Sequence, residues 1–245
     1  MVRARPEPQR ADSRHILDNP VLASLSGPWH APLARGRGRV RRYLEDVSPF
    51  MGLPEDPTER DWADAAQLLG SGTSALVNGS VTVPDDWNVV ERFGILQMTA
   101  SEEVEGVRDH RAVRLTADDV PQMLDLTRRT APGPFLRRTI DMGTYLGIRR
   151  DGALIGMAGE RMRAEGWVEI SAVCTAPEHR GEGLGTSLLR TMVAEIAAHG
   201  DRAFLHVAST NSQAVQLYKH LGFTARREFT VTVLRGPDLA VQDSA

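Results

Sequence analysis

Three glycines fall within five positions in Arg180-Gly181-Glu182-Gly183-Leu184-Gly185-Thr186. The segment Ile170 to Thr175 before them reads as a strand closed by Ala176-Pro177, and the apolar residues from Leu184 to about His199 recur at helical spacing. Glycine permits a tight turn and close backbone approach, and the first N–H groups of a helix point outward with the positive end of its dipole behind them. A strand, glycine turn and helix start in succession therefore suit an anion, most naturally a pyrophosphate. Neither common phosphate fingerprint explains the spacing. The dinucleotide pattern needs glycine where Thr186 stands, and a Walker loop needs a lysine that the turn lacks.

A second constellation lies downstream. Asn211 to Phe223 reads as a helix capped by Asn211, with Ala214, Leu217, Tyr218 and Leu221 on one face and Gly222 as its stop. Arg-x-x-Gly-x-Gly, counted from Arg180, resembles motif A of the GNAT superfamily of N-acetyltransferases. Asn-x-x-Ala-x-x-Leu-Tyr-x-x-x-Gly-Phe, counted from Asn211, resembles the second coenzyme-binding helix of the same superfamily. The resemblance covers roughly Arg111 to Arg235 and implies the GNAT acyl-CoA N-acyltransferase fold, an α/β architecture with a mixed central sheet flanked by helices.

The resemblance also implies a site. Val173, Cys174 and Thr175 would offer backbone groups to the pantetheine arm of acetyl-coenzyme A, in a gap where the strand splays from its neighbour. The turn residues Arg180, Gly181, Glu182, Gly183, Leu184, Gly185 and Thr186 would hold the pyrophosphate, with Glu182 turned to solvent because its carboxylate repels a dianion. Asn211 would cap its helix, bind the cofactor, or both. Tyr218 matches the family tyrosine that protonates the departing thiolate, and an ordinary pKa of about 10 leaves it a proton to give. Attack by an amine requires its neutral form, so a base is expected. Glu169 is the first candidate, two residues inside the position where many family members keep a glutamate, an offset of about 6 to 7 Å along a strand. Glu160 is the second, and either could act through water. The acceptor is expected to be a small-molecule or peptide amine. Amino-acid N-acylation from a longer acyl-coenzyme A, or a coenzyme-binding module without turnover, are the alternatives.

The scaffold around these groups is read from the rest of the chain. Residues 1–14 and 237–245 read as tails, 15–100 as a small α/β unit, 101–109 as an acidic linker, and 110–236 as the acetyltransferase domain. The first unit carries no motif; it could be a degenerate GNAT half, as in proteins resembling glycine N-acyltransferase. Within it, Thr73 to Val77 and Trp87 to Thr99 read as strands with Asn78-Gly79 as a turn between them. Asp151-Gly152 signals a hairpin, Leu136 to Met142 a short helix, and Phe223 to Leu234 a closing hairpin or bent strand that could pair between two copies as a homodimer.

Composition sets outer limits. An apolar fraction of 41% in 245 residues suits a globular protein with a sizeable core, and a formal charge of −3 gives no argument for nucleic acid or an anionic membrane. No apolar run approaches a bilayer span, so a cytoplasmic location is the expectation. Cys174 is the single cysteine, which excludes an internal disulfide; alone on a strand, it reads as a wall residue. The seven histidines show no metal-ligand spacing, so no metal is expected; His206 either lines the acceptor side or is satisfied in the core. Of the 29 basic residues only Lys219 is lysine.

Overall fold

The computed structural model describes residues 15–79 and 81–237, so the expected tails at 1–14 and beyond Pro237 lie outside the described residues. Asn19 opens α1 (Pro20–Ser26) by accepting the Leu22 N–H at 3.2 Å, with Pro20 in the first turn. Next, β1 (Ala34–Arg37) and β2 (Val40–Tyr43) turn at Gly38, and β3 (Met51–Gly52) completes a three-stranded antiparallel sheet. Thr58 and Asp61 form a capping box at the start of α2 (Glu59–Leu69), which buries Trp62, Ala65, Ala66 and Leu69 and stops at Gly70. These elements occupy most of the stretch read from sequence as the first α/β unit.

The remaining strands form one sheet. They are β4 (Ser74–Asn78), β5 (Asn88–Ala100), β6 (Val113–Arg114), β7 (Tyr145–Arg150), β8 (Ala153–Ala164), β9 (Trp167–Thr175), β10 (Arg202–Ala208) and β11 (Phe223–Arg235). Their order is β4-β11-β5-β10-β9-β8-β7-β6. The β9–β10 pair is parallel and its neighbours are antiparallel. The helices of this part are α3 (Val120–Thr130), α4 (Leu184–Ala198) and α5 (Ser212–His220).

The topology departs from several expectations. Asn78-Gly79 does not join paired strands, because β11 lies between β4 and β5 and bonds to both. A turn dipeptide reports a local reversal and cannot say which strand fills the adjoining place. The closing segment is one strand with register shifts at Ala225/Arg227 and Val233/Leu234, paired with β5 along its length and with β4 over Val231–Arg235. β5, read from sequence as part of the first unit, lies inside the large sheet between β11 and β10. The stretch 101–109, read as a linker, lies along α4: Val107 N–H donates to Arg190 O at 3.3 Å and Asp109 N–H to Thr191 Oγ1 at 3.1 Å. Leu136 to Met142 supplies only a 3-10 turn at Thr139–Met142.

Alternation along β9 puts Cys174 and Thr175 on opposite faces. Cys174 meets Thr130 of α3, whereas a Cβ at Gly185 of α4 would stand 3.7 Å from Thr175 Oγ1, so the two helices cover opposite faces. From α4, Leu184, Leu188, Leu189, Met192 and Ile196 are fully buried; each such side chain contributes roughly 1.5–3 kcal/mol by leaving water. The first unit packs Leu17, Tyr43, Val47 and Phe50 against Met142, Met162 and Phe204. Buried His30 ties the two parts together: its Nε2 lies 2.9 Å from Met142 O, and its Nδ1 lies 2.7 Å from Ser24 Oγ and 2.8 Å from the Tyr43 hydroxyl.

Burial lowers the pKa of His30 below its ordinary 6.5, a shift that the bond to Met142 O opposes and Arg163 reinforces. A depressed histidine is neutral in the fold and charged once unfolded, so its stabilisation is complete above pH 6.5 and declines as pH falls below that value. Melting curves should show stability falling below pH 6.5 by up to about 1.4 kcal/mol per pH unit, with a shallower slope in His30→Gln. Equal slopes in the two proteins would mean that His30 is not held neutral by the fold.

Candidate active site

The site begins where two strands stop pairing. β9 and β10 run in register from Trp167↔Arg202 to Ile170↔Leu205 and then part. Two residues on, Ala172 adopts φ 53°, and the register with β8 slips from Gly159↔Ser171 to Met157↔Cys174. One extra residue on β9 makes a β-bulge, which bends the strand away from its neighbour. Cys174 and Thr175 keep partners on β8, Met157 and Gly156, while the β10 side of Val173, Cys174 and Thr175 faces the gap.

The glycine turn stands at the end of this opened strand. Gly181 and Gly183 have φ 83° and 76°, a region where a side chain is strained; a Cβ on either would meet nothing within 4 Å, so conformation and not crowding requires glycine. The first helical bond runs from Ser187 N–H to Gly183 O at 3.0 Å. The N–H groups of Leu184, Gly185 and Thr186 precede it and have no acceptor within the helix. Glu182 is turned aside, bonded by Arg150 at 2.7 and 3.2 Å and by His179 at 2.9 Å, and these bonds hold its carboxyl down to about 2. Arg180 is exposed and has no ion pair among the described residues.

On the far side of the gap, Asn211 caps α5 by accepting the Ala214 N–H at 3.1 Å. Tyr218 packs its ring 6.2 Å from that of Phe223. Burial raises the pKa of its hydroxyl above 10, so the proton stays on at neutral pH. The same effect pushes the Cys174 thiol up to about 11, which suppresses the thiolate and leaves a small wall side chain.

Glu169 is not open to the gap. It is wholly buried, with Arg161 donating to both of its oxygens at 2.9 and 2.5 Å and His206 Nδ1 at 2.7 Å from Oε1. Burial alone would raise its pKa, but the charge of Arg161, with the hydrogen bonds from Arg161 and His206, outweighs this and holds it down to about 2. A carboxylate so engaged is a poor proton acceptor. Glu160 is also buried, and its carboxylate accepts from Thr144 N–H at 3.1 Å.

A family model described as FR47-like protein matches residues 145–232. A GNAT-family protein from Novosphingobium aromaticivorans, known as a crystal structure, is 38% identical with a TM-score of 0.83, over 92% of this chain and 100% of that one. The chain belongs to the GNAT family. Among curated relatives, a mycothiol acetyltransferase from Thermobispora bispora is 36% identical over 101 residues, 38% of this chain and 33% of the relative. YobR, an uncharacterized N-acetyltransferase from Bacillus subtilis, is 35% identical over 72 residues, 29% of each. This GNAT chain thus spans about a third of the length of the curated relatives it matches.

In this GNAT protein the glycine turn and the opened strand of Val173 to Thr175 are joined end to end, through Ala176 and a 3-10 turn at Pro177–His179. Glu169 is drawn instead into a polar cluster with Arg161 and His206. Three features escape sequence reasoning. Nothing marks Ala172 as left-handed, since alanine rarely is; nor do Gln97 and Arg226, remote in the chain, announce that they join the same cluster. Among the described residues no group of three or more histidine, cysteine, aspartate or glutamate side chains could hold a metal.

The bulge yields a stability prediction. A left-handed alanine is strained by roughly 1–2 kcal/mol, which glycine relieves. Ala172→Gly should leave the urea midpoint unchanged or raise it, whereas Ala172→Val should lower stability by more than about 1 kcal/mol. A destabilised Gly variant beside an unaffected Val variant would show that the bulge is not formed.

Proposed function

We propose that this protein transfers an acetyl group from acetyl-coenzyme A to a primary amine by direct attack, without an acyl-enzyme. The observation that carries the reading is the parting of β9 from β10 immediately before the glycine turn. A strand edge that has lost its neighbour can hydrogen-bond a pantetheine arm as it would a strand, and the helix start at its end meets the pyrophosphate. The curated relatives are named for acetyl transfer, which supports acetyl as the group moved.

In this reading Val173, Cys174 and Thr175 align the arm through their backbone. Gly181, Gly183, Leu184, Gly185 and Thr186 present N–H groups to the diphosphate, while Glu182 stays on Arg150 and His179, and exposed Arg180 adds positive charge. The amine attacks the thioester carbonyl, the tetrahedral intermediate collapses, and Tyr218 donates its proton to the leaving thiolate. The amine proton leaves through water. Glu160 is the carboxylate available to receive it, because Arg161 and His206 occupy Glu169.

Calorimetry should give micromolar binding of acetyl-coenzyme A, about −8 kcal/mol, that disappears when Gly183 and Gly185 are both replaced by valine. No binding by the unaltered protein would overturn the proposal. With an amine acceptor in hand, Tyr218→Phe and Glu160→Gln should each lower kcat by about 10²-fold or more with the melting temperature kept. Glu169→Gln should instead lower the melting temperature, since it uncouples a buried charge from Arg161. A Glu169→Gln protein of normal stability and no turnover would restore that residue as the base.

A further inference from the structure

One series of side chains crosses the large sheet at the level where β9 and β10 part. Arg161 of β8 holds Glu169 of β9, Glu169 bonds His206 of β10, His206 bonds Gln97 of β5, and Gln97 bonds Arg226 of β11. Arg226 ends the series on Asp18 at 2.5 Å. Five adjacent strands are thus linked by polar side chains as well as by backbone.

The hydrogen-bond inventory sets the proton positions. Gln97 Oε1 accepts from Arg226 at 2.8 Å, so the amide nitrogen must be the group facing Leu17 O at 3.1 Å and His206 Nε2 at 3.0 Å. Both Gln97 N–H bonds then donate, and His206 Nε2 can only accept. The ring proton is therefore on Nδ1, where it is donated to Glu169 Oε1 at 2.7 Å. The ring is clasped further by Phe204 and Phe229, with centroids 5.6 and 6.0 Å away.

The location of this bond gives it a use. The last backbone pair between the two strands is Leu205↔Ile170, and Glu169 and His206 are the adjacent residues on either strand. Their bond spans β9 and β10 at the vertex of the gap. We propose that His206, held as its Nδ1–H tautomer by Gln97, is a positioning residue that acts as a strut between β9 and β10 and sets how wide the gap opens toward the acyl end of the bound thioester. The role rests on the proposed function. It makes the donor preference a property of residues that never touch the donor: a held vertex favours the short acetyl group, and a released one admits longer chains.

The test uses the full chain with two donors, acetyl-coenzyme A and octanoyl-coenzyme A, titrated by calorimetry, and with histidine side-chain nitrogen resonances recorded by NMR. In the unaltered protein His206 should show the neutral Nδ1–H pattern. Gln97→Leu should weaken acetyl-coenzyme A about tenfold while octanoyl-coenzyme A changes less than about twofold. Gln97→Glu keeps an acceptor for Arg226 and offers a carboxylate oxygen to a protonated His206 Nε2, which leaves the Nδ1–H bond to Glu169 in place; it should restore acetyl-coenzyme A binding while the resonance pattern moves to that of a doubly protonated ring. Should Gln97→Leu not fold, His206→Asn, which shortens the strut, is measured in its place. An unaltered protein that binds donors, beside a variant with the same ratio of donor affinities, would overturn the strut and leave the proposed function standing. Binding of neither donor by the unaltered protein would remove both.

Discussion

A backbone N–H or C=O group removed from water needs a partner, and one stretch of this sheet is built so that the usual partner is not supplied. Parallel pairing of β9 with β10 ends at Ile170↔Leu205, and the bulge at Ala172 bends the strand before pairing could resume. The rest of the site depends on that interruption. The opened edge runs into the glycine turn, the turn into α4, and the buried apolar face of α4 fixes the turn against the sheet. A left-handed alanine persists there because the paired strand segments on either side over-determine it.

The charges near the vertex show how placement alters chemistry. Glu169 has the residue type and the strand that a base requires, yet Arg161 and His206 make it the middle of a buried network. Removing two charges from water is unfavourable unless geometry and further hydrogen bonds compensate. Here Arg161 spans both carboxylate oxygens and His206 adds a third bond, so the ionised form is retained and the group serves structure. Glu182 is handled similarly at the rim: Arg150 and His179 draw its charge aside while its backbone stays in the turn.

Short-range features are legible in the sequence because they are properties of contiguous backbone. Gly181 and Gly183 must take positive φ, Asn211 caps the helix that begins beside it, and Thr58 with Asp61 closes a box three residues wide. The GNAT resemblance adds roles to these elements. Sheet order is not legible, since nothing in Asn78-Gly79 reveals that a strand some 150 residues later will lie between its neighbours. Nor are the partners of Glu169, which arrive from β8 and β10 only after the sheet exists. The neighbours of β5 are hidden for the same reason: its alternation is equally good against either one, and tertiary pairing decides.

The place of β11 has a consequence for how the chain is made. Synthesis delivers β4 and β5 early, and each must wait for residues 223–235 before it gains the partner lying between them. Until then each presents an unpaired backbone edge, so the growing chain can assemble the three-stranded sheet and the run from β5 through β10, β9, β8 and β7 to β6, but not the finished eight-stranded sheet. Such long-range closure is slow and leaves aggregation-prone edges in the interval. The final strand thus acts as a keystone, and loss of residues 223–235 would undo pairings made by β4 and β5, well over a hundred residues earlier in the chain.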